Sequence, residues 1–300
     1  MKKLLLALLL TPAILAAKSP RGSFVVNTAW LAAHLHDPGL VLLHVGDKDE
    51  YAAKHIPGAR HVSLSDIAVT DHTPTGLILE MPPTPEDLRE RLAKLGISDH
   101  SRVVVYYGKD WVSPATRVIF TLDYAGLGDR ALLLDGGMGA WVRDGHAVTD
   151  VVPAARAGTL SPLKTRKIIV DADFVRANLG KKGIAVVDGR TAAFYDGLDT
   201  GGAHGQSHKT GHIAGAGNFP YVELADENLM LRSADEWRAL LTKAGVKPGD
   251  TVLGYCHIGQ QTTAALFAAR TLGHKVLLYD GSMQDWSRRE GYPVENPAAK

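Results

Sequence analysis

The sequence predicts an α/β protein built from two tandem domains, each a mostly parallel sheet flanked by helices on both faces. Three observations lead there: a length of 300 residues, which suits about two domains, an internal repeat, and short apolar runs alternating with helical stretches. The clearest repeat sets RVVVYYGKDWVSPATRVIFTLDYAGLGDRALLLDGGMGAW (Arg102–Trp141) against DTVLGYCHIGQQTTAALFAARTLGHKVLLYDGSMQDW (Asp250–Trp286), both ending in Asp-Gly-x-Met-x-x-Trp. Earlier, HIPGA (His55–Ala59) answers HIAGA (His212–Ala216), and VLLHVGDKDEY (Val41–Tyr51) answers AVVDGRTAAFY (Ala185–Tyr195). Three matches in one order are a duplication of whole domains.

The chain opens MKKLLLALLLTPAILAA, with Lys2 and Lys3 before an apolar run from Leu4 to Leu10 and small residues at Ala16 and Ala17. That is the layout of a secretory signal peptide, here residues 1–17, with a retained N-terminal anchor as the alternative. The run is short of the roughly 20 apolar residues a spanning helix needs. Export to a bacterial periplasm is the expectation, with no membrane attachment after cleavage. The N-terminal domain is then assigned to residues 18–150, a Pro-, Ala- and Gly-rich linker to 151–166, and the C-terminal domain to 167–300.

In the second copy, IAVVDG (Ile184–Gly189), TVLGYC (Thr251–Cys256) and KVLLYDG (Lys275–Gly281) read as buried strands. SADEWRALLTKAG (Ser233–Gly245) reads as a helix, with Ser233 and Glu236 as its capping box and Gly245 as its stop. Composition is ordinary for a globular chain, 45% hydrophobic and 22% charged, and the net charge of +1 supplies no field that would draw nucleic acid or an anionic membrane.

Cys256 is the only cysteine, so no internal disulfide forms. A buried small apolar residue is the plain alternative to a reactive thiol. Its position favours reactivity: it ends a strand, and the helical segment Gln261–Arg270 follows after HIGQ. In open α/β sheets ligands collect where strands end and helices begin, and the unpaired N–H groups there favour a thiolate. Gly259 lets the backbone curl around the sulfur.

These residues resemble the two-domain rhodanese family, sulfurtransferases of the thiosulfate or 3-mercaptopyruvate class. The resemblance rests on VVDGR (Val186–Arg190), GHIAGA (Gly211–Ala216), CHIGQQ (Cys256–Gln261) and YDGSMQDW (Tyr279–Trp286), with their echoes in the first half. It implies a thiosulfate sulfurtransferase in which Cys256 takes the sulfane sulfur as a persulfide and passes it to cyanide or a thiol. It implies no cofactor and no metal. The partners expected are a small-molecule donor, a cyanide or thiol acceptor, and an exported thiol protein as a further acceptor. The loop residues His257, Ile258, Gly259, Gln260 and Gln261, together with Arg190, are the substrate-binding candidates.

The donor is less sharply written. In the family a basic loop goes with thiosulfate and a small neutral Cys-Gly-Ser-Gly loop with mercaptopyruvate; this loop matches neither, and His257 tips the expectation to thiosulfate. A solvent-facing neutral His257 is the alternative. Thr262 stands where a phosphate-binding loop would close with arginine, which argues against phosphatase or arsenate reductase chemistry. A non-turnover sulfur carrier or anion-binding module is the competing reading.

In the first copy the strand ends align Gly108 with Cys256, and His44 and Gly46 with Asp188 and Arg190. That copy is expected to be catalytically silent and to wall the cleft with Lys109, Asp110, Trp111 and Arg117. His204, His208 and His212 recur every four residues, but the glycines among them oppose the helix that would align metal ligands. Lys209 and His208 are expected at the cleft entrance or in solvent, and Met283 and Trp286 in packing.

Overall fold

The computed structural model describes residues 23–73, 76–81, 84–109, 112–199 and 209–299. The leader, Asp110, Trp111, His204 and His208 lie outside the described residues.

The first domain runs β1 (Val25–Val26), α1 (Thr28–His34), β2 (Leu40–Val45), α2 (Lys48–Ala53), β3 (Arg60–Val62), a hairpin of β4 (Val69–Thr73) and β5 (Gly76–Glu80), α3 (Pro85–Lys94), β6 (Arg102–Tyr107), α4 (Val112–Tyr124), β7 (Ala131–Leu134) and α5 (Gly137–Arg143). The second runs β8 (Ile169–Val170), α6 (Ala172–Asn178), β9 (Ile184–Asp188), α7 (Ala192–Tyr195), β10 (His212–Ile213), β11 (Gly217–Asn218), α8 (Ala234–Lys243), β12 (Thr251–Tyr255), α9 (Thr263–Thr271), β13 (Val276–Tyr279), α10 (Ser282–Trp286) and β14 (Val294–Glu295).

Each domain holds a five-stranded sheet, ordered β1-β7-β6-β2-β3 in the first and β8-β13-β12-β9-β11 in the second. All pairings in both are parallel. The two orders are the same order, which is the duplication read from the sequence, now in three dimensions. Parallel strands need crossovers on the faces, and the helices that supply them cover both sides of each sheet.

Local signals act as expected from their chemistry. Ser233 caps α8 with its hydroxyl accepting from the Glu236 N–H, while Glu236 returns a carboxylate to the Ser233 N–H. In the first domain Thr84 caps α3 and Pro85 opens it, where its missing N–H leaves no gap in the ladder.

One apolar core runs through both halves, joining Val105, Val112 and Ile119 to Leu224, Trp237 and Phe267. Helices α4 and α9 follow the equivalent strands β6 and β12 and pack on each other across the domain boundary. Every residue of α4 from Val112 to Asp123 is buried, as a helix must be when its own sheet lies on one side and a neighbouring domain on the other. Some polar groups along this contact meet: the Thr116 and Thr263 hydroxyls lie 2.8 Å apart, and Asp123 receives Arg166 and Arg270. Residues 151–166 form no helix or strand and lie along the first domain, where the Gly158 N–H donates to Ala93 O and the Arg166 N–H to Tyr124 O.

Candidate functional site

Cys256 stands one residue beyond β12 and is completely buried. Its N–H donates to Ser282 Oγ at 3.0 Å, and that hydroxyl donates to Tyr279 O at 2.9 Å, so Ser282 ties the end of β12 to the end of β13. Ser282 adopts φ +51°, a strained conformation for a residue with a side chain. Met283 and Gln284 follow it, and their N–H groups donate to Cys256 O and His257 O, each at 3.0 Å.

The rest of the loop is anchored in the same sense. Gly259 O accepts from Arg117 Nη1 at 2.8 Å, Gln260 O from the Thr263 N–H at 3.1 Å, and Gln261 O from the Ala264 N–H at 3.1 Å. Among the described residues no peptide bond is cis, and in a trans peptide the carbonyl and the following N–H point opposite ways. With its carbonyls drawn outward, the loop turns N–H groups to its other side. Among the described residues, the N–H groups of Ile258, Gly259, Gln260, Gln261 and Thr262 find no protein acceptor. Successive unpaired N–H groups in a curled loop are the usual lodging of an anion. Gly259 makes the curl with φ +81°, and a Cβ there would stand 2.5 Å from Asp280 Oδ1.

Arg190 is buried beside this loop and is bound to its own strand end. Its Nε donates to both oxygens of Asp188 at 3.0 and 3.1 Å, and Nη2 donates to Asp188 Oδ2 at 2.6 Å and to Gly211 O at 2.7 Å. Only Nη1 has no described hydrogen bond. Burial opposes the charge, but Asp188 outweighs it, with Tyr255 and Cys256 adding to the effect, so the guanidinium is held above the usual arginine range. Tyr255 is pushed well up by burial and then by Asp188, and remains a neutral phenol that accepts the Ile213 N–H.

The structure brings Cys256, Arg190 and the loop together, but the loop side chains part company. His257 meets the edge of Phe194, ring centroids 4.5 Å apart, so its ring is packed rather than freely solvated. Ile258 lines a cavity of about 580 Å³ with Met81, Tyr279 and Gln284. Gln260 and Gln261 line another of about 750 Å³ with Pro114, Tyr221 and Arg232. Gln260 Nε2 also reaches Ser113 Oγ at 3.3 Å.

The alignment of the first copy needs a correction of one residue. The Ile56 N–H donates to the Tyr106 hydroxyl as the Ile213 N–H donates to that of Tyr255, and the sheet sets His44 beside Tyr106 as it sets Asp188 beside Tyr255. Tyr106 therefore matches Tyr255, and Tyr107, not Gly108, stands in the place of Cys256. Arg102, paired with Leu40, matches Thr251, paired with Ile184, and this shifts every match along the strand by one residue. His44 and Gly46 keep their matches. Gly137 takes the place of Ser282 with nearly the same φ, +50°, and a Cβ on it would run into the Tyr107 ring, 2.7 Å from Cδ2.

Of the residues expected to wall the cleft, Lys109 pairs with Asp47 inside its own domain at 3.5 Å. Arg117 does cross to the second domain, as a fully buried clamp rather than a cleft lining. Lys209 donates to Arg289 O and Tyr292 O, and His212 stacks on Tyr195 while bonding Tyr195 O and Glu295; both hold the chain in place. Met283 and Trp286 are buried in the outer core of the second domain. Ser282 and Asp280 were missed as site residues, although the repeated Asp-Gly-x-Met motif that contains both was in plain view.

Fold and site together define a two-domain α/β protein in which one domain alone presents a buried cysteine in a loop of unpaired N–H groups. Residues 27–144 and 171–289 each match the rhodanese-like domain, and the chain belongs to that family. It is 30% identical over 274 residues to a thiosulfate sulfurtransferase of Pseudomonas aeruginosa, covering 90% of this chain and 96% of that one. It is 28% identical over 284 residues to a 3-mercaptopyruvate sulfurtransferase of Escherichia coli K12, covering 91% and 98%. The crystal structure of YnjE shares the fold, with a TM-score of 0.79 at 24% identity over 93% of this chain and 70% of that one.

Proposed function

We propose that the protein is a thiosulfate sulfurtransferase that works through a persulfide on Cys256. The observation that carries this reading is the single thiol at the head of a loop whose N–H groups have no protein acceptor. The Cys256 thiolate attacks the outer sulfur of thiosulfate, the S–S bond breaks, and its electron pair leaves with sulfite. A terminal persulfide anion is then stabilised by the loop N–H groups with no reorganisation at the moment of reaction. Cyanide or a thiol attacks the outer persulfide sulfur, and the electron pair of the broken bond returns to Cys256. Arg190, His257, Ile258, Gly259, Gln260 and Gln261 form the binding set. Arg190 supplies positive charge beside the sulfur, and Gln260 and Gln261 supply backbone N–H donors while their side chains line the neighbouring cavity.

Beyond His257 the loop carries no basic side chain, and this favours 3-mercaptopyruvate, with one carboxylate, as the second reading. The test is steady-state transfer to cyanide from each donor in parallel, with Cys256→Ser as control. A higher kcat/KM for thiosulfate that disappears in the variant supports the first reading, and the reverse ratio supports the second. Absence of turnover with both, from a folded protein, favours a sulfur carrier. The leader layout of residues 1–17 further supports export to a periplasm, where a thiol protein is the acceptor; N-terminal sequencing of the cell-fractionated protein tests this.

A further inference from the structure

We infer that Arg117, a residue of the catalytically silent first domain, is a positioning residue for the sulfur chemistry of the second. It acts by holding the Gly259 carbonyl outward, so that the Gln260 N–H faces the opposite side of the loop. The inference rests on the sulfurtransferase reading of that loop.

Four observations carry it. Arg117 Nη1 donates to Gly259 O at 2.8 Å and to Asp280 Oδ1 at 2.6 Å, so one nitrogen joins α4, the loop, and the turn that precedes α10. The other loop carbonyls with described partners are held by groups of the second domain, backbone N–H groups and the Thr263 hydroxyl, which leaves Gly259 as the one whose anchor comes from the first. Gly259 also sits at φ +81°, where glycine resists peptide rotation least and an external anchor matters most. Finally, Arg117 is fully buried with Nε and Nη2 unpartnered among the described residues. A buried cation with incomplete pairing is a poor choice for docking two domains, which apolar residues of α4 and α9 do already.

Each peptide is planar, so releasing the Gly259 carbonyl releases the Gln260 N–H with it. The loop then loses a preset donor, and a sulfur anion must orient that donor itself. Losing a fixed donor at a developing anion typically lowers rates by about 100-fold or more, and a donor that is loosened but not deleted loses about tenfold.

The test uses the full chain with its single thiol. The rate of alkylation of Cys256 by iodoacetamide at one fixed pH is measured together with kcat and KM for sulfur transfer. Arg117→Lys keeps the charge beside Asp280 but not the reach to both oxygens, and the pair Arg117→Met with Asp280→Asn removes both charges together, so that neither is left buried alone, and its folding is checked by circular dichroism. Thr116→Val is the control, because it loosens the α4–α9 contact one step away from the loop and leaves the Thr263 hydroxyl free to keep donating to Gln260 O. The inference expects alkylation and kcat to fall about tenfold in the paired variant and less in Arg117→Lys, with KM nearly constant and Thr116→Val like the parent. Unchanged alkylation in the folded paired variant overturns it, as does an equal fall in Thr116→Val. If the parent transfers sulfur from neither donor, the sulfurtransferase reading fails, while the alkylation comparison still decides the role of Arg117.

Discussion

Arg190 and Asp188 form a fork-to-carboxylate pair at the end of β9, completely enclosed and two residues apart in sequence. The pair arrests the arginine beside Cys256 and commits most of its donors before any substrate arrives. Its charge is thus placed by Asp188, and only Nη1 is left for a ligand.

Removing the carboxylate should therefore damage both fold and function. Asp188→Asn leaves a buried guanidinium uncompensated, and loss of one partner of a buried pair costs about 3–5 kcal/mol. Urea unfolding should show that loss, and thiosulfate turnover should fall with it. A variant of parental stability would show that Arg190 is charged and held by other means.

Cys256→Ser should behave in the opposite way. The side chain is small and buried, so melting should change little, while turnover and the mass gain of one sulfur atom after donor treatment should both disappear. Intact-mass measurement with and without thiosulfate checks this directly.

Gly259→Ala should be out of proportion to its size. The left-handed backbone costs about 1–2 kcal/mol for a residue with a Cβ, and that Cβ would press on Asp280 Oδ1 and stand 3.1 Å from Arg117 Nη1. Turnover should fall more than stability, because the displaced atoms are the ones that shape the loop. Paired melting and kinetic measurements separate the two.

His44 makes the first domain acid-sensitive. Burial, followed by His61 and His55, lowers its pKa to about 4, and neither ring nitrogen has a partner among the described residues. The unfolded state, with a value near 6.5, binds the proton first, so stability should decline as pH falls through the window from about 6.5 to 4. Over that range the loss is about 3 kcal/mol from this group. His44→Phe should flatten the acid limb of a denaturant-stability profile while leaving the neutral plateau little changed.

Much of this was legible in the chain. Strand-length apolar runs, the Ser233 capping box and the ordered repeat led to the fold, because period, caps and duplication are local or self-referential signals. Cys256 was legible because a lone thiol at a strand end has few roles. Arg117 was named only as a cleft lining, since its partners, Gly259 and Asp280, are distant in sequence and meet it only when α4 lies against α9. The placement of Tyr107 was missed by one residue for a similar reason: register is set by cross-strand hydrogen bonds, which a comparison of two lengths does not contain.

The helix α4 has no face turned to solvent, and this decides what kind of object the duplication has produced. Two copies of a domain ordinarily invite separation, each able to be cut out and used alone. Here the copy that lacks a cysteine carries a helix buried from Val112 to Asp123, and the copy with Cys256 would have to bare the apolar surface of α9 to part from it. The half that carries Cys256 would on its own be a sticky fragment with a slack loop. The duplication has left one continuous body, in which the half that lacks a cysteine is the vice that grips the half that carries it.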